Sequence, residues 1–173
     1  MKLTIQLVPI PPPGHPDSTP DPPHVFHYTT GLKLEHILRS GEIRPTTTRV
    51  PGNEKPVAWF STSPTWEPTA TKVPNLGKVG QLMTACARGS LARIAVPSSA
   101  APYCFSQFPA LAGTTPAGWL GLLLAGLELG ADPSAWRFTP TPVPTALFRE
   151  IEFFDFANDD WLAVDLAELA CRN

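Results

Sequence analysis

The stretch FHYTTGLKLEHILRSGEIRP, residues 26–45, decides how the chain is read. Its first part belongs to HVFHYTT, rich in aromatic and β-branched residues, which predicts a strand closed by Gly31. In LKLEHILRSGEIRP the apolar residues Leu34, Ile37 and Leu38 fall at helical spacing. Gly41 follows as a C-cap and Pro45 forbids continuation, so a helix is predicted directly after the strand. Ile43 then starts an extended piece.

Working outward, Leu3 to Val8 alternate weakly and read as an edge strand, and Pro9 to Pro23 holds eight prolines, the composition of an extended arm. The organisation expected is therefore an N-terminal strand and Pro-rich arm over residues 1–23 and one domain over residues 24–173. Downstream, Thr46 to Lys55 is a polar loop, and VAWFSTS from Val57 is a second strand ending at Pro64. PTWEPTATK predicts a short helix beginning near Thr65, and Val73 to Gly80 a loop. LARIAVP, residues 91–97, is a third strand. The stretch PAGWLGLLLAGLELGADPSAW reads as a helix of about three turns, weakened by Gly118, Gly121 and Gly126. TPTPVPTA is a loop. ALFREIEFFDF alternates with period two and predicts a strand, and WLAVDL from Trp161 is a final strand or a short helix.

A length of 173 residues suits one domain, and the apolar fraction of 43% allows a sizeable core. The charged fraction is 16% and there are 22 prolines, so many rigid connections are expected. A formal charge of -2 gives no global attraction to a phosphate backbone. Cys86, Cys104 and Cys171 lack metal spacing, and an odd count argues against a closed disulfide framework, so a reducing cytoplasm is the simpler compartment. Prolines interrupt MKLTIQLVPIPPP before a secretory apolar region forms. Trp119 to Leu129 is about half of the roughly 20 residues that a bilayer requires and carries Glu128, so it reads as a buried helix and no membrane partner is expected.

Three clusters could carry chemistry: His27 with Tyr28 and Thr29, Trp59 with Phe60 and Ser61 to Ser63, and Glu150 with Glu152. A histidine within an aromatic and aliphatic strand must satisfy two ring nitrogens, either from the backbone or from a ligand. His24 and His27 are three apart on a strand and face opposite sides, so they do not form a metal pair. Glu150 and Glu152 share a strand face, with carboxylates roughly 7 Å apart, and no basic residue is expected to face them. They are either solvated or functional. WFSTS is either core followed by a capped turn or part of a site. No Gly-rich phosphate loop is present.

Taken in order, these clusters resemble the ADP-ribosyltransferase superfamily, in particular its His, aromatic, Glu branch, which includes poly(ADP-ribose) polymerases and DNA-targeting ADP-ribosyltransferase toxins. FHYTTGLKLEHILRSGEIRP looks like the first strand, helix and turn of that branch, and VAWFSTSPTWEPTA fills the place of its second strand, with Trp59 where Tyr is usual. STS at Ser61 to Ser63 and EIE at Glu150 to Glu152 also look like the other major branch, whose first position is Arg where this chain has His27. The motif resemblance covers roughly His24 to Ala70 and Arg149 to Leu166.

The resemblance implies an α+β fold, a split, mostly antiparallel β-core with flanking helices and an NAD cleft between the half-sheets. It implies a mono-ADP-ribosyltransferase that uses NAD as substrate, releases nicotinamide, and modifies a protein or nucleic-acid acceptor. Cytoplasmic action, as a toxin or an effector delivered to a target cell and paired with an antitoxin or immunity protein, would suit a domain of this size. Breaking the nicotinamide glycosidic bond develops oxocarbenium character, which a carboxylate stabilises. The implied catalytic residues are Glu152 at the ribose, Glu150 at the acceptor, and His27, which also bonds a ribose hydroxyl. Tyr28, Thr29, Arg44, Trp59, Phe60 and Ser61 complete the implied NAD-binding set, with Arg44 suited to phosphate. The alternatives are a catalytically inactive NAD- or nucleotide-binding module, and an RNA 2'-phosphotransferase, which shares this fold and needs more basic residues than Arg39, Arg44 and Arg49 supply.

Overall fold

HVFHYTT forms strand β1, His24–Thr30, and the chain turns at once into helix α1, Gly31–Ser40. In this computed structural model, residues 22–48, 50–70 and 77–165 are described. The abrupt junction needs Gly31, because a Cβ there would fall on the carbonyl of Gly89, whose neighbour Ser90 accepts the Gly31 N–H at 3.1 Å. The helix turns Leu34 into the core, with Ile37 and Leu38 packed alongside. Gly41 stops it in the left-handed conformation, φ 77°, donating to the carbonyls of Ile37 and Leu38. Strand, helix and cap thus stand where the sequence places them, except that Gly31 opens the helix and does not merely close the strand.

The remaining strands are β2 (Glu42–Ile43), β3 (Ala58–Ser61), β4 (Leu91–Pro97), β5 (Tyr103–Cys104), β6 (Trp136–Thr139), β7 (Val143–Pro144), β8 (Glu150–Asp155) and β9 (Asp160–Ala163). Of the nine strands among the described residues, seven form one sheet in the order β5-β6-β3-β1-β4-β8-β9, and β2 pairs with β7 separately. Every pairing is antiparallel. With helices α2 (Gly77–Arg88), α3 (Phe108–Ala112) and α4 (Pro116–Glu128), the architecture is α+β.

Alternation along β3 separates two cores. Ala58 and Phe60 join Val25, Ile94, Val96 and Ile151 under α1, whereas Val57 and Trp59 join Phe105, Phe108, Trp136 and Phe138, against which Trp119 and Leu123 of α4 pack. The sheet is not uniformly knitted. β1 pairs with β4 at all seven positions from His24 to Thr30, but with β3 through Phe26 and Ser61. The β5-β6-β3 and β1-β4-β8-β9 parts of this one sheet thus meet through a single pair, Phe26 and Ser61.

Several expectations need correction. The helix predicted near Thr65 is only a 3-10 turn, Pro68–Ala70, because Pro64 and Pro68 punctuate the segment. The loop predicted over Val73 to Gly80 contains the start of α2: Gly80, Thr84 and Ala85 give that helix a buried face of small residues, so its glycine marks close packing and not a turn. ALFREIEFFDF becomes a strand only from Glu150, since Thr145–Leu147 is a 3-10 turn. Within TPTPVPTA, Val143–Pro144 pairs with Glu42–Ile43. WLAVDL contributes to a strand, β9, and not to a helix. Leu3 to Val8 and most of the Pro-rich arm, Arg49, and residues 166–173 with Cys171 lie outside the described residues. Cys86 and Cys104 form no disulfide, and no described helix is long and apolar enough to cross a membrane.

Candidate functional site

Where the ladder between β1 and β3 stops, the His27 side chain takes over: Nδ1 donates to the Trp59 carbonyl at 2.9 Å, which requires the proton on Nδ1. The imidazole also lies against Phe60, ring centroids 5.4 Å apart. A cavity of about 490 Å³ opens at this place, within the size range of small-ligand sites. His27 and Phe60 come from one face of the sheet, and Phe26, Tyr28 and Trp59 from the other. All five line the cavity, which opens where the β1–β3 pairing ends.

Of the residues expected to bind NAD, His27, Tyr28, Thr29, Arg44, Trp59 and Phe60 line this one cavity. Ser61 does not: it is buried, and its Oγ accepts the Ser63 N–H at 3.2 Å. Trp59 is held in an aromatic wall, its ring 4.9 Å from Phe108 and 5.6 Å from Phe138. Arg44 is exposed and bonded to Glu42 at 2.8 Å, a pair loose enough to yield to a stronger anion. Lys33, Glu67, Thr69 and Trp136 also line the cavity and were not picked out in the sequence. The Trp136 ring fits only because Gly126 faces it, since a Cβ at residue 126 would fall on the ring. The indole Nε1 of Trp136 is buried without a hydrogen-bond partner among the described residues.

The carboxylates behave differently. Glu150 begins β8 opposite Ala95 and is exposed. Glu152 lies opposite Arg93 on β4, which in turn lies opposite Tyr28 on β1, so the three form a row across one sheet face. The expectation that no basic residue faces the pair is corrected here. Arg93 Nη2 donates to Glu152 Oε1 at 2.6 Å and Nε pairs with Oε2, with both side chains nearly buried. LARIAVP held the clue, a single charged residue in an otherwise apolar strand, which burial obliges to find a counter-charge. The guanidinium also lies 4.7 Å from the Phe26 ring centroid and 4.6 Å from that of Trp161.

The segment after β3 straps this row to the cavity. Tyr28 Oη donates to the Ser63 carbonyl at 2.7 Å, Arg93 Nη1 to that of Pro64, and Trp161 Nε1 to that of Thr65 at 2.8 Å. Trp66 stacks on Trp161, centroids 5.9 Å apart. Glu152 therefore lies two strands from β1, with β4 between them, beneath the strap, and does not line the cavity. Burial pushes the Tyr28 phenol up to about 12, outweighing the opposing influence of the Arg93 hydrogen bond and charge. For Arg93, burial favours the neutral form, but its bond to Glu152 and the carboxylate charge prevail and raise its pKa.

Comparison with known proteins returns no match to a family model, a curated protein or a solved structure.

Proposed function

We propose that the chain is an NAD-dependent mono-ADP-ribosyltransferase of the ADP-ribosyltransferase-like fold, its cleft lying between the two parts of the sheet. The observation that carries the reading is the convergence of His27, Tyr28, Thr29, Arg44, Trp59 and Phe60, drawn from separate segments, on one cavity of about 490 Å³ at the β1–β3 split. Its chemistry suits a dinucleotide. Trp59, Phe60, Phe105 and Trp136 supply apolar surface for a base, Lys33 and Arg44 supply cations for a diphosphate, and His27 and Thr29 supply hydrogen-bonding groups for ribose.

In the reaction the bond from ribose C1' to the nicotinamide nitrogen breaks, the electron pair leaves with nicotinamide, and an acceptor nucleophile bonds C1' and loses a proton. Developing positive charge on the ribose calls for a nearby carboxylate. Glu152 serves in this reading only after the strap lifts and Arg93 releases it, since neither residue lines the cavity. Acceptors of protein or nucleic-acid type, and cytoplasmic action as an effector, belong to the same proposal.

One observation favours a second reading, a non-catalytic NAD-binding module: both oxygens of Glu152 are bonded to Arg93, which neutralises the charge that the transition state needs. Incubation of the full chain with NAD, followed by mass spectrometry of nicotinamide, ADP-ribose and modified macromolecules, separates the two. The transferase releases nicotinamide and this release is lost in Glu152→Gln; a binding module releases none.

A further inference from the structure

Glu67 is the one carboxylate among the described residues that line the cavity, and it is 7% exposed. It lies at the end of the strap, just before the Pro68–Ala70 turn. Its Oε1 accepts from the Thr69 N–H at 3.2 Å and from Thr69 Oγ1 at 2.7 Å. Those two bonds occupy about half of the roughly four acceptor positions of a carboxylate. Among the described residues the ion pairs join other side chains, and Glu67 has no counter-cation there. Capping the start of a three-residue turn does not require this. A Ser, Thr or Asn makes such a cap without burying a charge, which costs several kcal/mol when unpaired.

We propose that Glu67 accepts the hydroxyls of the adenosine ribose and makes the cavity selective for NAD over its 2'-phosphorylated counterpart. This rests on the NAD reading of the cavity and adds to it the group that discriminates. Both Thr69 bonds fall on Oε1, which leaves the two acceptor positions of Oε2 to receive the two hydroxyls of a vicinal diol in charge-assisted bonds. Carboxylates select ribose hydroxyls in this way in other dinucleotide folds. A 2'-phosphate, carrying nearly two negative charges at neutral pH, meets like charge in a site of low dielectric. Lys33 and Arg44 stand on other elements of the cavity wall, α1 and the residue after β2, where they serve the diphosphate.

Calorimetric titration of the full chain with NAD, NADP and NAD lacking the adenosine 2'-hydroxyl tests the assignment. The wild type is expected to bind NADP at least tenfold more weakly than NAD, and the deoxy analogue about tenfold more weakly, the usual worth of a hydrogen bond to a charged group. Glu67→Gln should weaken NAD about tenfold and shrink the NAD:NADP ratio to below about threefold. A purely structural Glu67 would leave that ratio unmoved. If the wild type binds NAD, NADP and the deoxy analogue with the same affinity, the role of Glu67 is overturned while the cavity keeps its dinucleotide. If the wild type binds no NAD, both readings fall. The three wild-type titrations decide the matter even where the variant does not fold.

Discussion

Arg93 holds both oxygens of Glu152 across the β4–β8 ladder, in a row with Tyr28, under a strap that Arg93 itself ties down through the Pro64 carbonyl. Removing one member of a buried ion pair strands the other, which typically costs about 3–5 kcal/mol. Arg93→Ala should therefore lose about that much unfolding free energy in urea titrations, with Arg93's ring contacts adding to the loss. Arg44→Ala, which opens an exposed pair, should change stability by less than about 1 kcal/mol. Similar small losses in both variants would mean that the pair does not form.

The Tyr28 phenol supplies a pH signature. Its pKa is raised to about 12 in the folded chain from an ordinary value of 10.0, with burial the main cause. The folded state thus holds the proton more tightly than the unfolded one, so the contribution is fully present below pH 10 and is lost as pH rises towards 12. At about 1.4 kcal/mol per pKa unit, wild-type stability should fall between these limits by roughly 2–3 kcal/mol more than that of Tyr28→Phe. Parallel stability curves for the two proteins across this window would contradict the burial of the phenol.

Gly126 links the packing of α4 to the cavity. Adding a methyl group there drives the Trp136 ring from its place, and overpacking of this kind costs about 1–3 kcal/mol. Gly126→Ala should destabilise by that amount and weaken ligand binding in the cavity. Gly121→Ala, on the same helix with open space around it, should be neutral or stabilise by up to about 1 kcal/mol. Thermal unfolding of both variants compares them directly; equal midpoints would sink the packing argument.

Much of this geometry was legible in the sequence. Residues 26–45 specify their own strand, helix and left-handed cap through local signals, which is why the prediction over them holds closely. LARIAVP likewise forms β4 within its stated bounds. What was hidden depends on partners distant in the chain. The first turn of α2 looked like a loop because Gly77 and Gly80 are weak helix formers, and only packing against the rest of the fold overrides that. Glu150 and Glu152 looked equivalent, yet pairing opposite Ala95 exposes one and pairing opposite Arg93 buries the other. Glu67 carries no local signal, since only the path of the strap after β3 brings it to the cavity wall. The six expected NAD-binding residues that line the cavity were named through the resemblance, not through periodicity.

The account stands or falls on whether NAD enters the split between β1 and β3, so the deciding measurement is calorimetric titration of the full chain with NAD, on the wild type and on His27→Ala. The account predicts saturable heat for the wild type with about one site per chain. For the variant it predicts at least tenfold weaker binding, because His27 both lines the cavity and braces its wall at the Trp59 carbonyl. Absence of saturable heat with the wild type, or an affinity untouched by His27→Ala, would contradict it.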